Sequence, residues 1–147
     1  MIKKVNEEAI ILNKNLLFVI YGNNPKLLAE KILKECNIAD DIPHKDSLIG
    51  IKPNLVLAKP AEQGATTSPE LVEGVIAYLK SNGYNNIIIL EGSWIGDRTS
   101  DAFKVCGYTD ISKKYNVPLI DLQKDKSKAF NVENIDLHIC EKAYEVD

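Results

Sequence analysis

Apolar residues run without polar interruption at several places in this chain, and between and around them they recur at helical spacing. Leu16-Leu17-Phe18-Val19-Ile20 and Ile87-Ile88-Ile89-Leu90 lack the alternation of a half-exposed sheet, so both are predicted as strands covered on two faces, as parallel strands are. An apolar run at Ala9–Leu12, separated from Leu16–Tyr21 by Asn13-Lys14-Asn15, suggests a hairpin at the start of the chain. Asn24 as cap and Pro25 at the first helical position open a helix to about Cys36, with Leu27, Leu28, Ile32, Leu33 and Cys36 on one face. Residues 37–46 are polar, contain Pro43 and read as a surface connection.

Leu48–Ile51 is a short buried strand ended by Lys52-Pro53-Asn54, since proline donates no backbone N–H to a ladder. Ser68-Pro69 fits a cap followed by proline at the first helical position, and Thr67 with Glu70 fits a capping box. The helix from Pro69 carries an apolar stripe of Leu71, Val72, Val75, Ile76 and Leu79, and stops at Asn82-Gly83. A loop from Glu91 to Thr99 leads to helical pieces at about Ser100–Val105 and Asp110–Tyr115, and Val117–Leu122 supplies a further strand. Gln123–Lys128 is charged and turn-like, and Asn134–Cys140 alternates as a last strand.

Strands alternating with helices predict one α/β domain over residues 1–147, a layered α/β/α (Rossmann-like) fold with a mainly parallel sheet. Ligands of such sheets bind outside the carboxyl ends of the strands. Lys52 and Asn54 follow one strand, Glu91, Gly92 and Ser93 another, and Asp121 ends a third, so one edge should gather them, with Gly22-Asn23-Asn24 joining the same rim. Thr66, Thr67 and Ser68 stand at the positive end of a helix, where they either cap it or help bind an anion, and Thr99 closes the loop after Glu91. The set suits a small anionic or polar ligand. Lys52 and Glu91 are the candidate catalytic residues: the lysine would neutralise an anionic group, and the carboxylate would orient or deprotonate the substrate. Neither G-x-G-x-x-G nor G-x-x-x-x-G-K-[ST] occurs, which removes the usual support for dinucleotide or triphosphate binding.

Charge and composition narrow the partners. A net charge of -3 and scattered lysines argue against nucleic acid. No apolar stretch is long enough for a membrane span, and the first residues lack the apolar core of a signal peptide. Cys36, Cys106 and Cys140 are far apart without a C-x-x-C pair, so neither a disulfide framework nor an iron–sulfur cluster or zinc site is expected in this chain. Reduced thiols and a cytoplasmic location follow, with His44 and His138 read as solvated.

K-P-N-L-V at 52–56, A-T-T-S-P-E-L-V at 65–72, I-I-I-L-E-G-S at 87–93, G-Y at 107–108 and K-Y-N-V-P-L-I-D-L at 114–122 together resemble domain of unknown function family 362. The resemblance spans about Leu16 to Leu122, roughly the N-terminal half of such a domain, so the chain reads as a fragment or short form. Members often carry a ferredoxin-like module with two C-x-x-C-x-x-C-x-x-x-C-P runs and are described as iron–sulfur proteins; this sequence contains no such run. Members often have aspartate where Glu91 stands, which keeps the carboxylate. The resemblance therefore implies part of a redox-associated or ligand-transforming enzyme, with the ferredoxin-like module in longer relatives as a partner. A non-catalytic binding or structural module is the alternative.

Overall fold

Local signals start and stop most of the elements. A computed structural model describes residues 17–147 together with the backbone of Ile2–Lys4. Strand β1 (Ile2–Lys4) pairs in parallel with β2 (Leu17–Val19). Helix α1 (Pro25–Glu35) begins where Asn24 Oδ1 accepts the Leu27 N–H at 3.1 Å, and α2 (Ile38–Asp41) interrupts the expected surface connection. Strand β3 (Ile49–Ile51), helix α3 (Pro69–Ser81) and strand β4 (Ile87–Glu91) form one crossover; α4 (Thr99–Val105) and α5 (Tyr108–Tyr115) lead to β5 (Leu119–Asp121). A hairpin of β6 (Ser127–Val132) and β7 (Ile135–Cys140) and the short α6 (Glu141–Glu145) follow. The architecture is thus mixed α/β, with six helices and a three-stranded parallel sheet of order β3-β4-β5 among the described residues.

The central strand β4 is buried along its whole length, as its unbroken apolar run requires. Ile87 and Ile89 point to a core shared with Val72, Ile76 and Leu79 of α3, Ala102 and Phe103 of α4, and Tyr108 and Ile111 of α5. By strand alternation Ile88 and Leu90 face the other side. There Val146 packs close to Leu90 over Gly50, and the Asp147 N–H donates to the Leu48 carbonyl at 3.0 Å. Helix α3 ends as expected at Gly83, whose φ of 87° allows the Tyr84 and Gly83 N–H groups to reach the Leu79 and Lys80 carbonyls.

Four expectations are corrected. Strand β2 pairs with Ile2–Lys4 in a sheet separate from β3-β4-β5, so strand pairing does not bring Gly22-Asn23-Asn24 to the common rim. Leu17 is 53% exposed, which a strand covered on both faces would not allow, and the Ala9–Leu12 half of the expected hairpin lies outside the described residues. The buried stripe of α3 excludes Leu71 and includes Gly74 and Tyr78, because α1 packs along a second side of the helix. Residues 127–132, within and beyond the expected charged turn, are a strand: Glu133 and Asn134, at φ of 49° and 66°, make a tight turn that pairs β6 with β7. Its apolar residues Ile135, Leu137 and Ile139 are all exposed. No helix among the described residues is long and apolar enough to cross a membrane.

Glu73 ties α1, α3 and α5 together. Its Oε1 accepts from the Lys114 ammonium, from the Tyr115 hydroxyl at 2.7 Å and from the Lys26 ammonium at 3.4 Å. These bonds, that of Lys114 foremost, hold its carboxyl down from 4.5 to about 2. A carboxyl whose pKa is lowered on folding contributes stability that is complete above its unfolded value and is lost as the pH falls through the folded one. Glu73→Gln should therefore flatten the dependence of the unfolding midpoint on pH between about 5 and 2. Thermal unfolding across that window measures it, and profiles that run parallel for parent and variant would show that Glu73 titrates normally in the folded chain.

Candidate functional site

The parallel order of β3, β4 and β5 sets their carboxyl ends side by side, with Glu91 in register with Asp121. Glu91 continues the core-facing series of Ile87 and Ile89, so its carboxylate enters the interior and is only 2% exposed. A charge in that setting needs partners. Lys52, leaving β3 just before Pro53, reaches over it: Nζ lies 2.9 Å from Oε2, and the Gly92 N–H donates to Oε1 at 3.0 Å. The pair is lopsided, the lysine side chain 57% exposed and the carboxylate side chain 3%. It forms a buried acid closed by a cation that water and solutes can reach.

The hydroxyls predicted to face a ligand are occupied within the chain. Asn54 and Thr67 are cross-linked twice, the Asn54 N–H donating to Thr67 Oγ1 and the Thr67 N–H to the Asn54 carbonyl, each at 2.9 Å. Thr66 Oγ1 donates to the Lys59 carbonyl at 2.9 Å, and Leu55 bridges to Thr66. Ser68 makes no capping bond; its hydroxyl donates to the Glu70 carboxylate, which also breaks the expected capping box. The reason is competition: Asn54 has taken Thr67, and the Glu70 carboxylate is a stronger acceptor than Ser68 is a cap. The first turn of α3 thus meets a resident carboxylate.

Ser93 and Thr99 lock the loop after β4. Ser93 Oγ donates to the Leu55 carbonyl at 2.7 Å, its N–H donates to Thr99 Oγ1 at 3.1 Å, and Thr99 is fully buried as the first residue of α4 instead of the last of a loop. Gln123, read from sequence only as part of a charged turn, completes the lock. It accepts the Thr99 N–H at 3.2 Å and donates to the carbonyls of Ser93 and Asp97 at 3.0 and 2.9 Å. Tyr108 was also missed as a site component, although the Gly107-Tyr108 pair stands in the resemblance. Its hydroxyl donates to the Thr67 carbonyl at 3.0 Å. Burial pushes its phenol well above the usual range, with Cys106, Glu70 and Glu91 adding to the rise. Asp121 is held at 3.1 Å from Lys124 and accepts the Gln123 N–H. The Asn54 side-chain amide donates to the Ala65 carbonyl at 3.4 Å and the Gly92 N–H to Glu91, which leaves the exposed Lys52 ammonium as the most accessible charged group of the pair.

The chain's own donors do not fit an iron–sulfur cluster. Cys106 is buried with its thiol directed at the Lys59 carbonyl, Cys140 approaches the Leu122 carbonyl, and Cys36 lies beyond the end of α1, where burial pushes its thiol up. Among the described residues no three of histidine, cysteine, aspartate and glutamate come together to hold a metal ion. His44 and His138 are exposed. A cleft of about 430 Å³ lined by Glu30, Lys34, Asp40 and Tyr78 lies at the C-terminal end of α3, the edge of the sheet opposite the rim, and shares no residue with it.

A family model described as Domain of unknown function (DUF362) matches residues 49–147. The match opens at β3 and includes the β6–β7 hairpin and α6, so it lies further along the chain than the sequence resemblance while containing every rim residue from Lys52 to Gln123. No curated protein and no solved structure matches the chain.

Proposed function

The chain belongs to the DUF362 family, a domain of unknown function, and from that membership we propose that the rim formed by β3, β4 and β5 binds a small anionic ligand and uses Glu91 on it as a proton acceptor. The observation that carries the reading is the buried Glu91 carboxylate closed by the exposed Lys52. An anionic group can reach the ammonium, because the lysine is largely in water, and the hydrogen bond that the ligand then gives to Glu91 offsets the loss of its cation. As Lys52 turns to the ligand, Glu91 Oε2 loses its cation and accepts a hydrogen bond from a ligand hydroxyl or N–H; if the proton follows, the negative charge left on that ligand atom is paired by the Lys52 ammonium, and Oε1 keeps the Gly92 N–H throughout.

Parallel strands joined by helical crossovers support a Rossmann-like sheet with ligands at its carboxyl edge. The free cysteines support a reducing, cytoplasmic setting. The ferredoxin-like module that the sequence resemblance implies in longer members supports a redox-associated role in which the electron carrier is a separate module. A non-catalytic module is the second reading, favoured by one fact: the hydroxyls of Thr66, Ser68 and Ser93 all donate within the chain.

Thermal unfolding in phosphate and sulfate, against chloride at matched ionic strength, tests the anion site. A bound anion raises the midpoint with the logarithm of its concentration. Sulfate also stabilises proteins by exclusion, so the decisive quantity is the increment that Lys52→Gln abolishes. A variant that responds to phosphate as fully as the parent would favour the non-catalytic module.

A further inference from the structure

The chain has one tryptophan, and the fold leaves it in water. Trp94 is 70% exposed and its neighbour Ile95 is 93% exposed, whereas Tyr84, Tyr108 and Phe103 are buried. An indole has a large apolar area to bury, so a displayed one offers a face for stacking. It is also held in place. The Trp94 N–H donates to the Val56 carbonyl at 2.8 Å, its own carbonyl accepts the Asp97 N–H at 3.0 Å, and the flanking Ser93 and Asp97 carbonyls are both gripped by Gln123. A fixed backbone with an exposed aromatic side chain has already met much of the ordering cost of binding.

Its location gives the ring a role. Trp94 is three residues beyond Glu91, a span of at most about 10 Å, and its backbone is bonded to the segment that leaves β3 just after Lys52. Arg98, at the other end of the same loop, is exposed. The segments around the carboxyl end of β4 therefore carry an exposed indole and two exposed cations. We propose that the rim ligand is a planar aromatic anion, its ring stacked on the indole of Trp94 and its phosphate or carboxylate at Lys52, with Arg98 as a second cation. This rests on the anion-site reading above and adds the ring.

Three probes separate the parts: AMP carries ring and phosphate, ribose 5-phosphate the phosphate alone, and adenosine the ring alone. By calorimetry AMP should bind the parent about fivefold or more tightly than ribose 5-phosphate, the low end of base stacking on an aromatic side chain. Trp94→Ala should reduce AMP to the affinity of ribose 5-phosphate, and Trp94→Phe should retain most of the difference. AMP should also quench the single tryptophan when it is excited beyond adenine absorption. Equal affinities for AMP and ribose 5-phosphate in the parent, both weakened by Lys52→Gln, overturn the ring and leave the anion site standing. Affinities that Lys52→Gln does not change overturn the anion site and this inference with it. Adenosine binding as tightly as AMP overturns the pairing of ring with anion. Tryptophan emission that is blue-shifted without ligand and depends on protein concentration means that a second copy covers Trp94, and also overturns the inference.

Discussion

Replacing Gly74 by alanine should destabilise the chain by about 2–3 kcal/mol and lower its unfolding midpoint by roughly 6–10 °C, although alanine is the better helix former by about 1 kcal/mol. The position is where α1 and α3 touch. A Cβ there would lie 2.3 Å from the Lys26 carbonyl oxygen and 2.9 Å from Ala29 Cβ. The first of these is backbone, so no rotamer change relieves it, and α1 must shift off α3. That shift would also strain the contacts of Lys26 and Glu73 between the same helices. Leu71→Ala, on the same helix at a residue 42% exposed, should change stability by less than about 1 kcal/mol. Denaturant unfolding of the two variants decides: an unaltered midpoint for Gly74→Ala would mean that the helices stand further apart than described.

Lys52→Met should cost about 3 kcal/mol, near the lower end of what removing one member of a buried pair costs. Methionine keeps the apolar stem and deletes the ammonium. The Glu91 carboxylate, its side chain 3% exposed, is then left with the Gly92 N–H alone. The lower end applies because the lysine is itself largely in water, so solvent enters the gap it leaves. Adding Glu91→Gln should restore more than half of the loss, since a neutral amide needs no cation. The double-mutant cycle, read from denaturant midpoints at an unchanged slope, isolates the pair. If Lys52→Met proves neutral, or if Glu91→Gln worsens it, the carboxylate is not sealed by this lysine.

Features that depend on neighbours a few residues apart are legible in the sequence. Asn24-Pro25 opens α1, Gly83 closes α3, and Ile87–Leu90 forms the buried strand, because caps, left-handed turns and unbroken apolar runs act within about one helical turn. Alternation of strand and helix was enough to bring Lys52 and Glu91 to one edge, since parallel crossovers return each strand in the same direction. Tertiary structure decided where each polar side chain spends its hydrogen bonds. Ser68 could cap α3 or bond Glu70, and Thr67 could cap it or bond Asn54; only the approach of the 52–57 segment to the helix start selects between them. Gln123 became part of the loop after β4 because β5 ends beside it, 30 residues from Ser93 in sequence. The inward side of α3 moved from Leu71 toward Gly74 and Tyr78 because α1 occupies a face that the helix's own pattern does not mark. Glu133-Asn134 lacks the Asn-Gly signature of a tight hairpin, so only the pairing with β7 identifies β6. Each of these outcomes is a competition between acceptors or surfaces, and the winner is set by acceptor strength and by which distant segment the fold holds within about 3 Å.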